Sequence, residues 1–308
     1  MKPRLLTALM LAAGIACASA ASYTLQIGNV VWHGSAGGYA CFSSTAYPNT
    51  INFSLTKQGR GRANYAVTAG PSQNTGTYTR KLRSGGNYLN YTLYTTSAMT
   101  YELKAPPTAN ANEVISGSLS GKSGQVVPLA FVFFIPAGQV VPPGTYTDSV
   151  TFQIYPAYNS TGSPYDYATV TFSVVVAATA AVSIVPTGNP FNNSAPQLTL
   201  DFGTLQTGAA KSCDLLIKQN NNCTVYYSSA NNGVLKQTAS SSSDQIPYSV
   251  SSSGINIDLS HATSIALPAG VSPQPDGNRY PLTVTIGTMG NPEAGTYQDQ
   301  ITINVLAQ

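Results

Sequence analysis

Two stretches of this 308-residue chain repeat one another, and the repeat is complete once and incomplete once. Pro128-Leu129-Ala130-Phe131-Val132 leads, through Pro and Gly, into Gly144-Thr145-Tyr146-Thr147-Asp148-Ser149-Val150-Thr151-Phe152-Gln153-Ile154. Pro281-Leu282-Thr283-Val284-Thr285 leads likewise into Gly295-Thr296-Tyr297-Gln298-Asp299-Gln300-Ile301-Thr302-Ile303-Asn304-Val305. Each reads as strand, Gly/Pro turn, strand. In the second strands Val150, Phe152 and Ile154 alternate with polar residues, as do Ile301, Ile303 and Val305. A weaker match joins Ile51–Tyr94 to Leu215–Val250, each with a Leu-x-Tyr or Pro-Tyr followed by alternation. No segment sustains a helical period. Many short strands separated by turn residues predict an all-β chain of two immunoglobulin-like β-sandwiches.

The copies differ at their ends. After Ile154 the first passes through the Pro/Gly/Asn-rich loop Pro156 to Tyr167 into Ala168-Thr169-Val170-Thr171-Phe172-Ser173-Val174-Val175-Val176, a further alternating strand. The second stops at Leu306-Ala307-Gln308. The expectation is that the second sandwich lacks its last strand. An edge left bare exposes backbone groups and an apolar groove, which a strand from another chain can fill. Ile301, Ile303 and Val305 are the expected lining of that groove. The competing reading is a shorter topology.

The first residues read as a secretory signal: Lys2 and Arg4, an apolar run from Leu5 to Ala16, and Ala18-Ser19-Ala20 before the cut. A lipoprotein reading, with Cys17 lipidated, has Gly14 where Leu is expected. The expected organisation is a signal peptide over 1–20, a complete sandwich over 21–177, a linker over 178–181 and an incomplete sandwich over 182–308. Only 8% of residues are charged, with a net charge of +3, so nothing points to nucleic acid. Cys213 and Cys223 flank polar turn residues, and in an oxidising compartment they are expected to form a disulfide across a hairpin. Cys41 is then either buried and reduced or bonded to another chain.

Catalytic or metal-binding patterns do not emerge. His33 and His261 stand in polar or Gly/Ser-rich surroundings with no acidic neighbour evident, short of a triad or a zinc site. Asp148 and Asp299 hold matching repeat positions and read as backbone-satisfying residues at a strand start. Gly59-Arg60-Gly61-Arg62 is too short for a phosphate loop. The expectation is a protein that is not an enzyme and takes no cofactor or metal.

At Ile135-Pro136-Ala137-Gly138-Gln139, at Gly-Thr-Tyr-x-Asp with its alternating strand, and at Leu89-Asn90-Tyr91-Thr92-Leu93-Tyr94, the chain resembles the spore coat protein U domain family. The resemblance implies a subunit of an archaic chaperone–usher pilus. Complete first and incomplete second domains resemble the tip adhesin of such a fibre. Tyr23-Thr24-Leu25-Gln26-Ile27 begins close to the expected cleavage site, so no donor segment is expected ahead of it, in keeping with a tip position. The implied partners are a periplasmic pilus chaperone, an outer-membrane usher, an adjacent pilin subunit donating a strand, and an abiotic or host surface. The implied location is the cell surface, reached through the periplasm, with biofilm formation as the outcome. The alternative is a structural pilus or spore-coat-type subunit without a ligand of its own.

Strand direction places the working face. The last strand of the first domain runs toward the linker, so the loop before it lies at the far end. The expected surface-binding residues there are Pro156, Tyr158, Pro164, Tyr165 and Tyr167, rigid rings with hydroxyl handles. The loop Lys57 to Asn64 shares that end and adds Arg60 and Arg62; Lys104 to Lys122 is expected to join them. That Lys57–Asn64 loop is basic where related adhesins are apolar, which leaves anionic surfaces and glycans open as ligands.

Overall fold

Wherever apolar and polar residues alternate, the chain runs as strand. The computed structural model describes residues 23–28, 30, 38–194, 197–238, 243–267 and 276–308. The expected signal peptide with Cys17, and His33, lie outside them. The first ten strands are β1 (Tyr23–Ile27), β2 (Tyr47–Gly59), β3 (Ala63–Ala69), β4 (Lys81–Ser84), β5 (Asn87–Asn90), β6 (Thr92–Tyr94), β7 (Ile115–Leu119), β8 (Gln125–Ile135), β9 (Gly144–Tyr155) and β10 (Asp166–Val176). They make two sheets, ordered β1-β2-β8-β6 and β5-β4-β9-β3-β7, with β10 paired along β9. Phe131, Phe133, Phe152, Phe172 and Tyr91 meet between the sheets, with ring centroids as close as 4.8 Å for Phe131 and Phe152. Burying such rings is worth roughly 1.5–3 kcal/mol each.

The next ten strands are β11 (Ala180–Pro186), β12 (Ala210–Gln219), β13 (Cys223–Ser229), β14 (Val234–Gln237), β15 (Gln245–Ser252), β16 (Ile255–Ile257), β17 (Thr263–Leu267), β18 (Asn278–Ile286), β19 (Tyr297–Gln298) and β20 (Ile301–Ala307). One sheet runs β11-β12-β18-β15-β14-β19 with β16 on β15, the other β17-β13-β20. Their core is aliphatic, built on Leu215, Ile217, Val225, Val250 and Leu282 with Tyr227. Ala180 and Ala181, expected as linker, open β11, so only Ala177, Ala178 and Thr179 stand between β10 and β11. Asn220 fastens this joint. Its Nδ2 donates to the carbonyls of Val141 (3.2 Å) and Ala177 (2.9 Å), and its Oδ1 accepts from the Thr179 N–H.

The repeat is visible atom by atom. Tyr146 Oη donates to the Pro142 carbonyl at 2.8 Å and Tyr297 Oη to the Glu293 carbonyl at 2.9 Å, each four residues back. Asp148 accepts from the N–H groups of Ser149 and Asn74 and from Tyr91 Oη at 2.7 Å. Asp299 accepts from the N–H groups of Gln300 and Asn231, from Ser229 Oγ, and from Tyr248 Oη at 2.5 Å. Both aspartates are therefore strand-start staples, each holding the tyrosine of the preceding Leu-x-Tyr or Pro-Tyr. Burial, with the bond to the aspartate, pushes the Tyr91 and Tyr248 hydroxyls well above the ordinary tyrosine range.

The expected Cys213–Cys223 disulfide is not formed: both residues, like Cys41, are buried free thiols. The reason is topological. Asn220–Asn222 carries the chain from one sheet to the other, so β12 and β13 do not make a hairpin. Cys213 pairs with Leu282, and Cys223 with Leu267 and Ala307. Cys213 lies six residues back along β12 from Gln219, whose side chain accepts from Cys223 Sγ at 2.7 Å. Six residues of strand span roughly 20 Å, far beyond the roughly 7 Å limit between bridged Cα atoms.

Candidate functional site

Two regions stand out, one on each sandwich. In the first sandwich β9 is flanked along its whole length: β10 pairs with it from Gly144 to Ile154, while β4 and β3 take the other edge. Val150, Phe152 and Ile154 are consequently 1%, 0% and 0% exposed. β19 and β20 repeat this strand in two pieces. β19 pairs with β14 as β9 does with β4, and β20 pairs with β13 as β9 does with β3. No described strand pairs with the other edge of β20. Ile301, Ile303 and Val305 remain only partly buried, against Cα partners Ser229, Tyr227 and Val225. In the first sandwich β10 also runs beside β1, and Ile27 N–H donates to Asp166 Oδ2 at 2.9 Å. In the second, β11 itself approaches β20. Ile184, Pro186, Phe191 and Leu198 line a shallow apolar depression along β11.

The second region is the far end of the first sandwich. β10 starts there at Asp166, opposite Ile154, and the connecting loop carries Pro156, Tyr158, Pro164 and Tyr165. Tyr158, Tyr165 and Tyr167 are exposed, Tyr167 most at 68% as an outward residue of β10. Tyr165 is shared with the fold. Its hydroxyl lies 3.1 Å from that of Tyr23, the rings meet edge-on at 5.8 Å, and the bond pushes the Tyr165 hydroxyl up to about 12. Tyr23 opposes Gly59, and Lys57 Nζ sits 5.8 Å over the Tyr23 ring.

Lys57 is fully buried, and its ammonium donates to the carbonyls of Gly59 (2.9 Å) and Lys122 (3.0 Å). It organises two loops rather than facing solvent. Gly61 N–H to Gly121 O and Gly124 N–H to Lys57 O complete the seam. Gly59 and Gly61, with φ of 90° and 98°, supply the left-handed turn that displays Arg60 and Arg62, both exposed. Lys122, at the end of the segment expected here, is exposed; Val126, also exposed at this end, and Tyr23 escaped the sequence reading. The alternation of β8 marks Val126 as outward; Tyr23 carries no such sign.

Of the segment Lys104 to Lys122, only its last stretch reaches this end, where Leu119 pairs with Ala63. Its start lies along the flank. Arg80 is buried and donates to the carbonyls of Ala69, Gly70 and Leu103 and to Glu102 Oε1 at 2.7 Å. Lys104 meets Glu113 at 2.6 Å, and Asn110 and Glu113 cap the short 3-10 turn Ala111–Glu113. This network folds the segment onto its own sheet. His261 does have an acidic neighbour: Asp258 Oδ2 lies 3.4 Å from Nδ1, with both side chains mostly exposed. Among the described residues no three His, Cys, Asp or Glu side chains cluster as a metal site would require.

No curated protein matches the chain. Among solved structures, the chaperone–tip adhesion subunit pre-assembly complex of archaic chaperone-usher Csu pili from Acinetobacter baumannii aligns at TM-score 0.41 and 16% identity, over 83% of this chain and 91% of that one. A tip adhesin of Pseudomonas aeruginosa aligns at TM-score 0.35 and 10% identity, over 92% and 93%. The adhesive subunit of CFA/I fimbria from enterotoxigenic Escherichia coli aligns at 0.32 and 14%, over 92% and 81%. Residues 15–153 match the Spore Coat Protein U domain, a span that contains β1 to β8 and most of β9, with the buried Asp148 staple. The chain's first sandwich is thus similar to the Spore Coat Protein U domain, and the match ends at residue 153.

Proposed function

We propose that the chain is the tip adhesin of a chaperone–usher pilus, exported through the periplasm and displayed at the cell surface, where it promotes attachment and biofilm formation. The observation that carries this reading is the contrast between β9, covered by β10, and β20, paired on one edge only. A subunit with one finished and one unfinished sandwich joins a fibre by accepting a strand through the second and works with the first. In this reading a periplasmic chaperone covers β20 during export, an outer-membrane usher passes the subunit on, and an adjacent pilin supplies the lasting strand. Ile301, Ile303 and Val305 line the groove it fills. Pro156, Tyr158, Pro164, Tyr165 and Tyr167, with Arg60 and Arg62, form the end that touches an abiotic or host surface. No catalytic step is assigned.

A structural subunit without its own ligand is the second reading. It is favoured by the Tyr165–Tyr23 contact, which uses one of the end tyrosines inside the fold. Replacing Tyr158 and Tyr167 with Ser separates the two. Attachment of cells to polystyrene should fall at least tenfold while the count of surface pili stays constant. Unchanged attachment with normal pili returns the chain to the structural reading.

A further inference from the structure

The far end of the first sandwich is not only aromatic. Four cations meet there, Lys57, Arg60, Arg62 and Lys122, on loops sewn together by the Gly61–Gly121 and Gly124–Lys57 backbone bonds. The one carboxylate nearby, Asp166, is engaged by the Ile27 N–H. None of the ion pairs among the described residues includes Arg60, Arg62 or Lys122. The rest of the molecule does not share this bias. Residues 23–176 hold eight Lys and Arg against four Asp and Glu, whereas residues 180–307 hold four against seven. Unpaired guanidinium groups raised on a rigid turn repel one another, and their display is accounted for by an anionic ligand.

We infer that this end binds a polyanionic polysaccharide, one carrying uronate carboxylates or sulfates along its length. The inference rests on the adhesin reading and names the ligand class for the same surface. Arg60 and Arg62 offer planar forks that match carboxylate and sulfate oxygens, with Lys122 as a mobile third charge. Tyr158 and Tyr167 supply apolar faces for the carbon–hydrogen side of sugar rings and hydroxyls for their edges. The surrounding loops, with exposed Ser120, Ser123, Asn159 and Thr161, are rich in neutral hydrogen-bonding groups. An anionic bilayer fits less well, because Val126 is the one aliphatic side chain among the large exposed hydrophobic residues at this end.

The test uses the full chain, with a copy of Ala168–Val176 fused after Gln308 to cover β20, immobilised on a sensor. The probes are polygalacturonate, dextran sulfate, neutral dextran, phosphatidylglycerol vesicles and single-stranded oligothymidylate. Both polyanionic glycans should bind, neutral dextran should not, and raising salt from about 0.05 to 0.5 M should weaken binding at least tenfold, since the charges are exposed. The double variant Arg60→Ser with Arg62→Ser should lose at least tenfold in glycan affinity. Lys81→Ser with Arg83→Ser removes the same charge elsewhere in the sandwich and should stay within twofold. The inference is overturned by no glycan binding, by equal losses in the two double variants, or by tighter binding of vesicles or oligothymidylate than of either glycan. Attachment to polystyrene that persists without glycan binding would reject this ligand class and leave the adhesin reading standing. Glycan binding on a chain whose Tyr158 and Tyr167 variants attach normally to polystyrene would uphold this ligand class and move the polystyrene contact away from this end.

Discussion

Ile303 offers a direct test of the proposal that the second sandwich accepts a strand. It repeats Phe152 of the first, but Phe152 is fully buried and Ile303 only partly. Truncating Ile303 to Ala removes three carbons, worth roughly 2.4 kcal/mol once fully covered, at about 0.8 kcal/mol per buried carbon. About half of that is already realised in the open state, so covering the groove should add about 1.2 kcal/mol, a factor of about seven in affinity. A cavity left beneath the new strand would add to this. The assay is fluorescence anisotropy with a labelled peptide copying Ala168–Val176, the strand that covers β9, titrated with the full chain. Ile303→Ala should weaken peptide binding by about sevenfold or more. Phe152→Ala should cost the first sandwich about 3–5 kcal/mol in urea unfolding and leave peptide affinity unchanged. If Ile303→Ala binds the peptide like the parent, or if both substitutions weaken it equally, β20 does not line an acceptor groove.

Arg80→Met should destabilise the first sandwich by about 3–5 kcal/mol, because it strips the buried Ala69, Gly70 and Leu103 carbonyls of their donor and leaves the Glu102 carboxylate with only Lys104, 3.9 Å away; a loss under about 1 kcal/mol in urea unfolding would refute that role. Tyr91→Phe and Tyr248→Phe each remove one donor from a stapled aspartate and should cost about 1–3 kcal/mol apiece, read as shifts of two separate unfolding transitions. Burial pushes the Cys213 thiol up to about 11, so at pH 8 about one molecule in a thousand carries the thiolate. All three thiols should resist a thiol-reactive probe until the chain unfolds, and a Cys213–Cys223 peptide in a non-reduced digest would contradict the fold described here.

The repeat was the most legible feature of the chain because it has period-2 alternation and a tyrosine–aspartate pair that recur together. Those features report on backbone geometry, which is local. Ile301, Ile303 and Val305 could be identified by aligning them with Val150, Phe152 and Ile154. The Cys213–Cys223 pairing misled because a polar tripeptide between two apolar runs marks a chain reversal equally well within a sheet or between sheets. Which of these applies depends on β18 and β17, which follow tens of residues later. Lys57 was legible as a charge but not as buried: its partners are carbonyls of Gly59 and Lys122, and main-chain acceptors leave no trace in side-chain identity. Nor could the Lys104–Glu113 segment be placed, since the burial of Arg80 that anchors it depends on carbonyls from two separate stretches, Ala69–Gly70 and Leu103.

The joint between the sandwiches has a mechanical meaning. A pull on the second sandwich reaches the first through three residues and enters β10 at Val176, along the strand axis. β10 is in register with β9 over eleven consecutive pairs, from Val176 opposite Gly144 to Asp166 opposite Ile154. When the opposing anchor is on another strand, as at the Arg60–Arg62 turn between β2 and β3, load directed this way runs across the inter-strand hydrogen bonds, so they must slip together instead of breaking in succession from an end. Asn220, bridging Ala177, Thr179 and Val141, keeps the entering chain aligned with that direction. Loaded between Val176 and the Arg60–Arg62 turn, the connection acts as a shear clamp, and its rupture force should exceed that of the same eleven pairs pulled from one end as a zipper.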